Sequence, residues 1–75
     1  MNKFKQVIVI PDVHGRTFWK EAVKGKEDQQ IIFLGDYVDP YPHEQISEIQ
    51  TLENLQEIIH FKMAHPDNVI LLIGN

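Results

Sequence analysis

Ile31-Ile32-Phe33-Leu34-Gly35-Asp36 is an unbroken apolar run that stops on a glycine and a carboxylate. Four apolar residues without polar alternation read as a strand buried on both faces, the habit of parallel sheets. Working outward in both directions, the same pattern recurs. Val7-Ile8-Val9-Ile10 runs into Pro11-Asp12, and Val69-Ile70-Leu71-Leu72-Ile73 runs into Gly74-Asn75. Each run is bounded by turn chemistry and is rich in β-branched side chains, which suit a pleated surface.

The intervening segments read as helices. Thr17 to Lys24 offers Phe18, Trp19, Ala22 and Val23 for packing, with Thr17 as a candidate cap and Gly25 as a stop. In the longer segment Ile46, Ile49, Leu52, Leu55, Ile58, Ile59 and Met63 recur at steps of three and four, which predicts one apolar stripe toward the core. Ser47 with Gln50 fits a capping box. His65-Pro66 marks the end, because the residue before proline disfavours the α region. The order is β-α-β-α-β, an α/β fold with a three-stranded parallel sheet and right-handed crossovers. The loop from Asp39 to Glu44, with Pro40 and Pro42, is the most irregular stretch.

The chain has 75 residues, no cysteine and a formal net charge of −4. A chain of about 60 residues buries only roughly 60% of the surface it exposes when unfolded, so a fold of this size is marginal. Neither a disulfide nor a thiolate metal site is available, which fits a reducing, cytoplasmic setting. Basic residues are scattered, so nothing points to nucleic acid or to a polybasic membrane patch. The run Val7 to Ile10 is too short for a signal-peptide core.

In open parallel sheets, ligands bind outside the carboxyl ends of the strands. All three ends here carry metal-type ligands: Asp12-Val13-His14-Gly15, then Gly35-Asp36-Tyr37-Val38-Asp39, then Gly74-Asn75. Asp12 and His14 are two apart, so in extended backbone their side chains leave on the same side. A carboxylate and an imidazole reaching one point suit a divalent transition metal. A single Asp at a strand end is usually a turn former or a cap, and Gly-Asn alone is a turn signal. Three such ends on one rim are hard to obtain from turn preferences. His60 and His65 read as structural or solvated, while His43 lies in the loop near the rim, within reach of a substrate.

These residues resemble the calcineurin-like metallophosphoesterase superfamily, which includes serine/threonine protein phosphatases and diadenosine tetraphosphatases. That family carries Asp-x-His, Gly-Asp-x-x-Asp and Gly-Asn-His-Asp/Glu at successive strand ends. The resemblance implies that Asp12 and His14 bind a first metal, that Asp36 bridges two metals, and that Asn75 binds the second. It implies two divalent ions (Mn, Fe or Zn) about 3.5–4 Å apart that acidify a water for in-line attack on phosphorus. Asp39 would orient the family's proton-donating histidine, and the substrate would be a phosphorylated small molecule, nucleotide or phosphoprotein. A bridging Asp36 requires its strand to lie between the other two, hence a sheet order of 1-2-3.

Two departures bear on these expectations. The phosphatase branch has an arginine directly after the second aspartate of Gly-Asp-x-x-Asp, where this chain has Pro40; Arg16, close to the first motif, is the candidate phosphate contact. The sequence stops at Asn75, before the family's next histidine, so residues 1–75 are expected to be the N-terminal part of a larger α/β sandwich and inactive alone. With both helices on one face of the sheet, the other face is expected to be bare and to drive self-association. The alternative from another class is a non-enzymatic receiver-like module that binds Mg²⁺ through acidic strand ends; the histidine at position 14 favours a transition metal over Mg²⁺.

Overall fold

A computed structural model describes residues 4–73. The elements run β1 (Val7–Ile10), α1 (Phe18–Val23), β2 (Gln30–Phe33), a 3-10 turn (Pro42–Glu44), α2 (Glu48–Ala64) and β3 (Val69–Leu71). The strands form one parallel sheet in the order β1-β2-β3, with Val9 beside Ile32 and Ile32 beside Ile70. The expected α/β arrangement and strand order are therefore observed. No helix among the described residues is long and apolar enough to cross a membrane.

Both helices pack on one face of the sheet, as two right-handed crossovers stepping in the same direction require. That face contributes Ile10, Ile31, Phe33 and Val69 to a core completed by Val13, by Trp19 and Val23 of α1, and by Ile58 of α2. Phe33 anchors an aromatic cluster, with Trp19 at 5.7 Å edge-on and Phe61 at 6.4 Å. Such pairings add about 0.5–1.5 kcal/mol beyond the area they bury. The opposite face is uncovered: Val7, Val9, Leu34, Ile70 and Leu72 are between 41% and 54% exposed.

Local signals set the helix ends. Ser47 Oγ accepts from the Gln50 amide at 3.1 Å and Gln50 Oε1 accepts from the Ser47 amide at 2.9 Å, the expected capping box. His65 caps the far end, its amide donating to Phe61 and Lys62 carbonyls. Lys62 Nζ donates to the carbonyls of Pro66 and Val69, binding the helix end to β3. Thr17 occupies the cap position of α1 but its side chain makes no capping bond.

Only part of the apolar stripe of α2 is buried. Its buried residues are Thr51, Asn54 and Ile58, whereas Ile49, Leu52, Ile59 and Met63 are between 42% and 70% exposed. Polar partners turn the helix this way. Asn54 Oδ1 accepts from Trp19 Nε1 at 2.9 Å and its Nδ2 donates to the Arg16 carbonyl at 2.8 Å. Thr51 lies against Gly15, where an added Cβ would meet Thr51 Oγ1 at 2.9 Å. A buried asparagine costs free energy unless bonded, so these bonds fix which face of α2 turns inward.

Candidate metal centre

The loops after β1 and β2 are joined by their backbones. The amides of Val13 and His14 both donate to the Asp36 carbonyl, at 3.2 and 2.7 Å, and the Gly15 amide donates to the Tyr37 carbonyl at 2.9 Å. Gly15 has φ +77°, a left-handed conformation that favours glycine, and its close approach to Thr51 leaves no room for a side chain. His14, Asp36 and Asp39 also lie in the left-handed region, at φ 47°, 51° and 60°. Histidine and aspartate tolerate this region better than most residues, and single residues held there cluster at functional sites.

This joint brings Asp12, His14 and Asp36 together. One ligand atom from each lies within 4.8 Å of the other two. His14 Nε2 is 3.8 Å from Asp12 Oδ2, and His14 Nδ1 is 3.2 Å from the Val38 carbonyl. A carbonyl can only accept, so Nδ1 is the donor in this contact and Nε2 is the ring nitrogen that faces the carboxylates. Metal-bound histidines are oriented in this way, by a second hydrogen bond on the other ring nitrogen. Donors each about 2.1 Å from one tetrahedral ion lie about 3.4 Å apart, so the cluster would fit a divalent cation after closing by up to about 1.4 Å. A cleft of about 450 Å³ opens beside it, lined by His14, Asp36, Asp39 and Leu55 among others.

A probable serine/threonine-protein phosphatase of Encephalitozoon cuniculi is 32% identical over 73 residues, 93% of this chain and 14% of that protein. The serine/threonine-protein phosphatase 4 catalytic subunit of Eremothecium gossypii is 30% identical over 74 residues, 92% of this chain and 21% of that protein. The chain is a relative of the serine/threonine protein phosphatases. It spans less than a quarter of the length of either of these two. No family model matches it, and no solved structure matches it significantly.

In this phosphatase relative the other singled-out residues fall around the cluster. Asp39 is exposed and stands outside it, on the wall of the cleft. Arg16 turns back on its own loop, donating to the carbonyls of Asp12 and Val13. His43 stacks on Tyr41 at 5.7 Å, and Tyr41 in turn packs on His14 at 4.7 Å. Asn75 lies outside the described residues.

Tyr37 was not singled out from sequence, although it stands inside the Gly35–Asp39 motif. Its hydroxyl donates to the Leu72 carbonyl at 2.5 Å, tying the rim of β2 to the end of β3 just before Gly74-Asn75. Burial pushes its pKa above the usual phenol value. A phenol with a raised folded-state pKa favours folding fully below the unfolded value, about 10, and that stability is lost as pH climbs through the folded value. Tyr37→Phe is therefore expected to cost about 0.5–1.5 kcal/mol at neutral pH. It is also expected to reduce the loss of stability above about pH 10, and urea melts at pH 7 and pH 11 check both. A phenylalanine variant as alkali-sensitive as the parent would remove Tyr37 from this role.

Proposed function

We propose that this chain carries the metal-binding rim of a phosphoesterase that hydrolyses phosphate esters with two divalent cations, manganese, iron or zinc. The observation that carries this reading is the convergence of Asp12, His14 and Asp36 at two adjacent strand ends, in a chain related to serine/threonine phosphatases. Asp12 and His14 would hold one cation, Asp36 would be shared, and Asn75 would supply a neutral oxygen to the second. When bound, the pair of ions supplies an acidified water and neutralises charge on the phosphoryl oxygens.

The chain's own residues provide geometry and proton placement. The Val38 carbonyl accepts from His14 Nδ1, which leaves Nε2 as the ring nitrogen available to a cation. The amide ladder from Val13, His14 and Gly15 to Asp36 and Tyr37 fixes the distance between the two ligand loops, and distance is what in-line attack demands. Asp39, exposed on the wall of the cleft, would orient a proton-donating histidine. Pro40 replaces the phosphatase arginine, which leaves open a phosphorylated small molecule, a nucleotide or a phosphoprotein as substrate.

Calorimetric titration tests the reading. Mn²⁺ is expected to bind the 75-residue chain saturably, and inorganic phosphate to bind only once Mn²⁺ is present. Absence of Mn²⁺ binding, or phosphate binding indifferent to Mn²⁺, defeats it. Hydrolysis of an aryl phosphate by these residues alone is expected to run about 10²–10⁴-fold slower than in a relative with the acid histidine.

A further inference from the structure

Arg16 looks at first like a phosphate hook, a cation two residues past a metal-type histidine. Its donors point elsewhere. Nη2 donates to the Asp12 carbonyl at 2.7 Å and Nε donates to the Val13 carbonyl at 3.0 Å. Nη1 faces Glu44 Oε1 at 3.8 Å. The guanidinium carbon lies 5.3 Å from the Phe18 ring centre and 5.7 Å from that of Tyr41. The residue's main chain is also held, because Asn54 of α2 donates to its carbonyl from the buried side.

We propose that Arg16 is a positioning residue that clamps the Asp12–His14 loop to the Pro42–Glu44 turn and so sets the ligand geometry, and that it is not a phosphate contact. A planar guanidinium presents donors in a rigid fork. Two prongs of that fork close on consecutive carbonyls, which fixes the peptide planes on either side of Val13 and so restrains the direction in which the Asp12 carboxylate leaves the chain. The third edge, through Glu44 and Tyr41, holds the turn in place. Tyr41 then lies against the His14 ring at 4.7 Å, limiting its rotation about the Nδ1–Val38 bond. The Glu44 carboxylate beside Nη1 repels an approaching phosphate, so the same contacts that favour clamping disfavour anion capture.

The inference rests on the metal reading for one readout only. Arg16→Gln and Arg16→Lys in the 75-residue chain are compared with the parent by Mn²⁺ calorimetry and by amide hydrogen exchange without metal. Arg16→Gln is expected to weaken Mn²⁺ about 10–100-fold, the usual cost of removing a group that supports a ligand. Arg16→Lys, whose single ammonium cannot span both carbonyls in the same geometry, is expected to recover part of that loss. Exchange is expected to speed up at Val13, His14 and Gly15, whose amides bond to Asp36 and Tyr37, and not at Ile31 in β2. Should the glutamine variant lose its fold, the lysine variant carries both readouts. Unchanged Mn²⁺ affinity with unchanged loop exchange overturns the proposal, as does a loss confined to phosphate binding or exchange accelerated evenly along the chain. If the parent binds no Mn²⁺, the metal reading fails, and the exchange comparison still decides for or against the clamp.

Discussion

Asp36→Asn is expected to abolish cation binding while leaving the fold intact. The exchange is conservative for the backbone and drastic for the ligand set. Position 36 sits at φ 51°, and asparagine accepts the left-handed region at least as readily as aspartate. The carbonyl that receives the Val13 and His14 amides is main chain and is unaffected. The change in stability of the metal-free chain is expected to stay within about 0.5–1 kcal/mol. The charge of the carboxylate is lost, however, and under the proposed function it is the group that would serve both cations. The roughly 10–100-fold losses seen when a supporting residue is removed set a floor for the effect on Mn²⁺ affinity. Calorimetry with a parallel thermal melt separates the two terms. A variant that binds Mn²⁺ as tightly as the parent would remove Asp36 from the bridging position, whatever its stability.

The second large effect concerns the uncovered surfaces. Val9, Ile32 and Ile70 form one row across the sheet on the side away from the helices, flanked by Val7, Leu34 and Leu72. Side chains of this size at about half exposure present on the order of 400 Å² of apolar surface, within the range of the largest patch on a typical monomer. The stripe Ile49, Leu52, Ile59 and Met63 on α2 presents a comparable area. Covering 400 Å² is worth about 10 kcal/mol before the costs of association are subtracted. No charged side chain interrupts the row, so a second copy of the same face is a suitable cover. The chain is expected to sediment as a dimer or larger species at micromolar concentration, and Val9→Lys, at a position already half in water, to shift it toward monomer without unfolding it. A folded monomeric parent in the same experiment would contradict the idea.

The parts of this fold that were legible in the sequence are those written locally. Three β-branched runs with turn residues at their ends gave three strands, and Ser47 with Gln50 gave the start of α2, because a capping box closes within four residues. Asp12, His14 and Asp36 were legible because strand ends in a parallel sheet share a rim. The facing of α2 was not legible. Of the stripe's residues on α2 only Ile58 is fully buried, and it is joined by the polar Thr51 and Asn54. The deciding bonds, from Trp19 to Asn54 and from Asn54 to Arg16, span 35 and 38 residues, and no local periodicity records them. The tie from Tyr37 to Leu72 spans 35 residues and was hidden for the same reason. The direction of the Arg16 side chain, onto the carbonyls of its own loop, was not legible either, because charge and proximity are visible in a sequence and side-chain direction is not.

The left-handed backbone at His14, Asp36 and Asp39 has a consequence for how such a chain tolerates mutation. Residues that accept this conformation are few: glycine first, then asparagine, aspartate and histidine. Residues that hold hard or borderline cations through oxygen or imidazole overlap with that short set. Under the proposed function His14 and Asp36 are therefore filtered twice, once by backbone shape and once by chemistry, and the two filters admit nearly the same alphabet. Drift that keeps the fold passes through ligands or through glycine, while valine or isoleucine is rejected at the level of the main chain. If the proposed cations were no longer needed, such ligands would be lost by single steps to asparagine or glycine while the backbone stayed as it is.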